Sequence, residues 1–202
     1  MTDNPLIRVF CRLLRSPRTM GFGVQSPWAY RFVRYVVAER LPYYAYEVLS
    51  NRFRHDDKCE ERLFRFYFRL ANYCQPNAVV DLCHESRMFE EYVKAGCRKV
   101  RFVGNDDLKG RLAKGVFESM QHVMLRCDAS SADICGKDAL LGMMSESSVL
   151  IMEGIHKCGK AYGCWQEMVN DNRVGVSFDL YSCGVLFFDT QRHKQTFKVN
   201  II

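Results

Sequence analysis

Apolar and polar positions in the first seventy-five residues alternate with a helical period. Leu6, Phe10, Leu13 and Leu14 share one face with Arg8, Arg12 and Arg15 opposite, and Pro17 is expected to end that helix. Gly21-Phe22-Gly23 reads as a turn. Ser26-Pro27 has the form of an N-cap followed by proline at the first helical position. Trp28, Phe32, Val33, Val36 and Val37 then give an apolar stripe that lasts until Pro42. After a polar loop, Leu63, Phe64, Tyr67, Phe68 and Ala71 predict a further helix over residues 60–74, with Arg62, Arg65 and Arg69 lining another of its faces.

From residue 78 the rhythm changes to short β-branched runs separated by helical stretches, the pattern of a parallel sheet with crossover helices. Strands are expected over residues 78–83, 99–103, 122–126 and 148–152, the last being the most apolar. Helices are expected after the first strand as far as Gly96, over residues 108–120, over 132–144, and through Trp165 and Met168. Residues 174–181 and 185–188, joined through Ser182-Cys183-Gly184, predict an antiparallel hairpin. The chain therefore divides into a helical N-terminal extension, residues 1–75, packed on an α/β domain, residues 76–202.

With 202 residues, 48% of them hydrophobic, the chain can bury a sizeable core. No run approaches eighteen apolar residues and the start lacks an apolar secretory stretch, so a cytoplasmic protein without a targeting or membrane segment is expected, and the apolar pattern predicts no membrane partner. Ten cysteines are scattered without a CxxC pair, and Cys74, Cys83 and Cys183 fall inside apolar patterns, which predicts reduced, mostly buried thiols. His156, Cys158 and Cys164 lack zinc-site spacing, so no metal is expected. The net charge of +6 lies entirely in residues 1–70, with thirteen Lys and Arg against seven Asp and Glu; the remainder carries sixteen of each. A basic extension on a neutral body suits an acidic partner, whether RNA, membrane phosphate or protein. No RNA-binding motif accompanies these arginines, whose plainer role is to solvate helix faces.

Candidate chemistry gathers at strand ends, where α/β sheets place ligands. Asp81, Asn105 with Asp106, Asp128, and Glu153 with His156 all fall there, and Asp81, Asp106 and Asp128 can equally cap the next helix or turn. The turn after Asp81, Leu82-Cys83-His84-Glu85-Ser86-Arg87, leads into a helix as nucleotide-binding turns do, yet contains no glycine to let a ligand approach the backbone. Glu153 and His156 suit an acid/base pair or a metal edge, the alternative being a polar loop histidine. Trp28, Tyr43, Tyr44 and Tyr46 either stack on a ligand ring or anchor the helical extension.

Several motifs together resemble a bacterial family of class I S-adenosylmethionine-dependent methyltransferases. Ile155-His156, then Trp165, then Val176-Ser177-Phe178-Asp179-Leu180 and Gly184-Val185-Leu186-Phe187-Phe188, are similar to the family's Asp-Asp-Ile-His-Trp stretch, tryptophan-bearing helix and closing hairpin. Gly23-Val24-Gln25-Ser26-Pro27-Trp28, Pro42-Tyr43-Tyr44-Ala45-Tyr46 and Arg69-Leu70-Ala71-Asn72-Tyr73 resemble its front end. The resemblance implies a Rossmann-like class I methyltransferase sheet with helices on both faces, a C-terminal antiparallel hairpin and an N-terminal helical extension. It also implies S-adenosylmethionine as cofactor, Asp81, Cys83, Asp106 and Asp128 as the cofactor-binding positions, and Glu153 or His156 as base for a small-molecule or macromolecular methyl acceptor.

The departures fall on that machinery. Cys83 and Arg87 stand at glycine positions, Gly104 falls where the ribose-binding acid belongs and leaves only a shifted Asp106, and the acidic pair is reduced to Glu153-Gly154 with Lys157 in place of tryptophan. Between Asp128 and Val149 only one helix fits, so a strand and a helix are expected to be missing. Three functions are expected on these grounds: a degenerate methyltransferase with weak or lost cofactor binding, a non-catalytic pseudoenzyme that binds or regulates through its basic helices, and an RNA-associated module that uses the arginine-rich helices bearing Arg62, Arg65 and Arg69.

Overall fold

The computed structural model describes residues 5–83, 86–103 and 121–202, without the side chains of residues 5–9 and 12. The described residues form two compact units. One is drawn from Pro5–Gln75, Ser86–Lys99 and Lys198–Ile202, the other from Pro76–Glu85 and Val100–Phe197.

The first unit is helical: α1 (Pro5–Thr19), α2 (Pro27–Phe32, continued by a π-helical turn over Val33–Val37), α3 (Tyr44–Arg52), α4 (Lys58–Cys74) and α5 (Arg87–Gly96). Pro17 does not end α1. The helix runs on to Thr19, and Met20 N–H bonds to the Ser16 and Pro17 carbonyls, so the missing proline N–H removes one bond without stopping the turn. Ser26 caps α2 as its sequence predicts, its hydroxyl accepting the Ala29 N–H at 3.3 Å. Asp57 caps α4 by accepting from Cys59 and Glu60 N–H at 2.6 and 2.7 Å. Gly96 lets α5 close on α4, since a Cβ there would lie 2.3 Å from the Phe68 carbonyl oxygen.

Arg69 departs from its expected place on a polar helix face. It is 3% exposed and donates to Val36 O at 2.6 Å, Val37 O at 3.2 Å and the Tyr46 hydroxyl at 3.3 Å. These are carbonyls at the end of the π-helical turn, where a cation complements the helix dipole. Of the aromatic group near Pro42, Tyr43 and Tyr46 pack on Phe68 at 5.1 and 5.2 Å and Trp28 stacks on Phe32 at 5.8 Å, all within the helical unit, while Tyr44 is exposed.

The second unit is a seven-stranded mixed α/β sheet, compatible with a Rossmann-like fold. Its strands are β1 (Ala78–Asp81), β2 (Arg101–Val103), β3 (Val123–Cys127), β4 (Val149–Glu153), β5 (Val176–Asp179), β6 (Cys183–Phe187) and β7 (Gln195–Lys198), in the order β2-β1-β3-β4-β6-β5-β7. β1 to β4 are parallel; β6 is antiparallel to β4 and β5, which gives the predicted hairpin. β7 lies beyond the predicted elements, because Gln195-Thr196-Phe197-Lys198 is short and half polar. The segment from Asp128 to Val149 carries two short helices, α6 (Ala129–Cys135) and α7 (Lys137–Gly142), in place of the one predicted, and no strand; Gly136 at φ 82° separates them.

Helix α8 (Gly159–Asn170) completes the described elements. Val80, Leu125, Leu150, Met152 and Leu186 line one face of the sheet and pack with Leu140, Trp165 and Met168 of α7 and α8. Gly184 is required there: a Cβ would stand 2.3 Å from the Trp165 ring. The ten cysteines are thiols, and no described helix is long and apolar enough to cross a membrane.

Candidate functional site

Period-two alternation fixes which strand-end side chains meet. Val80, Leu125, Cys127 and Met152 belong to the apolar cluster, so Asp81, Arg126 and Glu153 take the opposite face. Register then aligns them, for Asp81 pairs with Arg126 across β1 and β3, and Glu153 stands two residues beyond Ile151, the β4 partner of Arg126. Arg126 Nη1 donates to Asp81 Oδ2 at 2.9 Å and Nε to Glu153 Oε1 at 2.8 Å, with side-chain exposures of 7%, 13% and 25% for Arg126, Asp81 and Glu153. One buried guanidinium thus ties together the carboxyl ends of three adjacent strands.

The second Asp81 oxygen is engaged as well, since Oδ1 accepts the Cys83 N–H at 3.1 Å. Burial pushes the Asp81 carboxyl up to about 6 from 3.8, against the pull of Arg126. Burial also raises the thiols of Cys83 and Cys127 above the ordinary range, so both are protonated and weakly nucleophilic at neutral pH.

His156 sits one turn beyond β4. Lys157 N–H closes that turn on Gly154 O at 2.8 Å, and Gly154 N–H ties it to Ser182 O at 2.9 Å. The carboxylate against His156 is Asp179, not Glu153 as the sequence suggests: Nε2 lies 2.9 and 3.1 Å from the two Asp179 oxygens, while Glu153 is drawn to Arg126. The imidazole is stacked between Tyr162 and Tyr181, at 5.1 and 5.0 Å. Asp179 is 1% exposed and also accepts the Tyr181 N–H at 2.9 Å. Tyr181 holds φ 71°, a left-handed conformation costly for a non-glycine residue and met at sites where geometry is imposed. A histidine oriented by a buried carboxylate has the arrangement of a general base.

Asp128 is a helix cap. Its Oδ1 accepts the Ser131 N–H at 2.8 Å, and its own N–H donates to Ser131 Oγ at 2.8 Å. Cys158 likewise caps α8, with Ala161 N–H 3.5 Å from its sulfur. Asp106, His84 and Glu85 lie outside the described residues. Ser86 caps α5 by accepting the Phe89 N–H at 3.2 Å, which leaves Arg87 exposed as the first helical residue. Among the described residues no group of three or more His, Cys, Asp or Glu is arranged to hold a metal ion.

The site therefore brings Asp81 and Glu153 together through Arg126 and keeps His156 with Asp179. Sequence reasoning misses Arg126 and Asp179. The signals are an arginine inside the otherwise apolar run Val123-Met124-Leu125-Arg126-Cys127, and an acid closing the apolar strand Val176-Ser177-Phe178-Asp179. Of the positions that the resemblance assigns to the cofactor, Asp81 has both oxygens hydrogen-bonded and Asp128 caps a helix. No family model, curated protein or solved structure matches the chain.

Proposed function

We propose that this protein is a methyltransferase-like pseudoenzyme: an α/β scaffold whose cofactor crevice has been closed by an internal ion-pair network, and which acts by binding rather than by methyl transfer. The observation that carries the reading is Arg126, held at 2.9 Å from Asp81 and 2.8 Å from Glu153 at the strand ends. A ligand entering beside Asp81 would have to displace a buried guanidinium that bridges two carboxylates, leaving charges unpaired in a dry environment. The mixed sheet with its antiparallel closing strands and the basic helical unit support the family resemblance; the glycine-free turn after Asp81 supports loss of the cofactor. Its partner would be acidic and would be met by the basic helices.

A second reading, an enzyme with altered cofactor contacts, is favoured by one observation, the His156–Asp179 pair between two tyrosine rings. On that reading His156 takes the proton from a hydroxyl or amine acceptor. Thermal unfolding with increasing S-adenosylmethionine or S-adenosylhomocysteine separates the two. The pseudoenzyme shows no rise in melting temperature at millimolar ligand. A clear rise at sub-millimolar ligand, lost on Asp81→Ala and Asp128→Ala, would sink the proposal and establish the enzyme.

A further inference from the structure

Among the described side chains of helix α1, burial runs against polarity. Arg15 and Thr19 are buried, at 8% and 2% exposure, whereas Phe10, Leu13 and Leu14 are 61%, 68% and 64% exposed. Positions 10, 13 and 14 follow the i, i+3, i+4 spacing of a single stripe, continued by exposed Pro17 and Met20. The helix sequence, PLIRVFCRLLRSPRT, contains four arginines and no acid. Beside the stripe lies a cleft of about 270 Å³, which shares Leu13 and Met20 with it and is further lined by Thr19, Arg40, Arg62 and Ile201. Arg52 and Arg65 are paired with Glu91 and Glu61, but among the described residues no carboxylate forms an ion pair with Arg40 or Arg62. An apolar stripe thus runs into a cleft that presents two uncompensated cations.

We infer that this face docks on an anionic phospholipid surface, with Phe10, Leu13, Leu14 and Met20 in the acyl boundary and a headgroup phosphate in the cleft between Arg40 and Arg62. Amphipathic helices bearing Phe and Leu beside arginines lie in the plane of an anionic bilayer, and basic pockets hold its headgroups. Docking is peripheral, because α1 has only fifteen residues. Two other occupants fit less well. A second copy of the chain on the same face would bring two acid-free, arginine-bearing helices together, and RNA would cover the cations but leave the stripe in water.

The test is flotation of the full chain with vesicles of phosphatidylglycerol and phosphatidylcholine, beside vesicles of phosphatidylcholine alone. Binding to the anionic vesicles should be about tenfold or more tighter and should weaken as salt is raised. Leu13→Asp with Leu14→Asp should abolish it, and Arg40→Glu with Arg62→Glu should weaken it about twentyfold or more, on the order of fivefold per guanidinium removed. The leucine pair is exposed, so that variant should keep the wild-type melting temperature. Leu14→Trp in the intact chain supplies a second readout: its emission should shift to the blue on anionic vesicles. Equal binding to both vesicle types, or no binding and no shift, overturns the inference. So does a dimer by light scattering that Leu13→Asp with Leu14→Asp dissociates, or single-stranded RNA that competes through Arg40 and Arg62 without involving the leucines.

Discussion

Replacing Arg126 with methionine removes the cation from the strand-end network while keeping most of its aliphatic volume. Arg126 is 7% exposed at the side chain and Asp81 13%, so the loss leaves at least one carboxylate unpaired in a nearly dry site. Removing one partner of a fully buried pair costs about 3–5 kcal/mol; Glu153, at 25% exposure, recovers part of its solvation, so about 3 kcal/mol is expected near pH 7.5. The penalty should depend on pH through Asp81. Its folded pKa, about 6, stands above its ordinary value of 3.8, so its contribution to stability is fully present below 3.8 and is lost as pH rises through about 6. Without Arg126 the downward pull on that carboxyl disappears and its pKa rises further. At about pH 5 the variant therefore holds a neutral Asp81, and the cost of the substitution should shrink to about half or less. Urea unfolding followed by tryptophan fluorescence measures this, because Trp165 lies in the core of the sheet unit. Asp81→Asn in the Arg126→Met background should restore about 1–2 kcal/mol near pH 7.5. A cost below about 1 kcal/mol, or the same cost at both pH values, would refute the reasoning.

Arg69→Met should destabilise by about 2–3 kcal/mol, since it strips the Val36 and Val37 carbonyls of their donor; circular dichroism during urea unfolding reads the loss. Gly184→Ala forces a methyl group against the Trp165 ring and should cost about 2 kcal/mol or more, visible as a lower melting temperature and a shifted tryptophan emission. Asp179→Ala removes the carboxylate that accepts the Tyr181 N–H and faces His156 and should cost about 2–4 kcal/mol in urea unfolding, whereas Asp179→Asn, which keeps an acceptor oxygen, should cost about half as much.

Hydrophobic period carries most of the architecture. The run expected over residues 148–152 falls on β4, Val149–Glu153, and the stripe from Leu63 to Ala71 lies within α4, because both patterns are buried in their own unit. The hairpin of β5 and β6 is legible from its apolar runs and the turn between them. Polar residues are harder, since a side chain's role depends on a partner distant in sequence. Arg69 looks like one more solvated arginine, yet its partners are thirty-three and thirty-two residues earlier. Arg126 is forty-five residues from Asp81 and twenty-seven from Glu153, and only sheet register joins the three. His156 stands out in the sequence but points to the wrong acid, because Glu153 is near in sequence while Asp179 is brought close by the antiparallel return of the chain. Asp128 takes its plainer role as a cap, with Ser131 three residues on as the only signal.

The most direct test of a closed crevice is equilibrium dialysis of the intact protein against labelled S-adenosylmethionine near neutral pH, where Asp81 is ionised and bound to Arg126. With Arg126 holding Asp81 and Glu153, no cofactor should be retained even at millimolar concentration. Saturable retention with a sub-millimolar Kd that Asp81→Ala abolishes would contradict it.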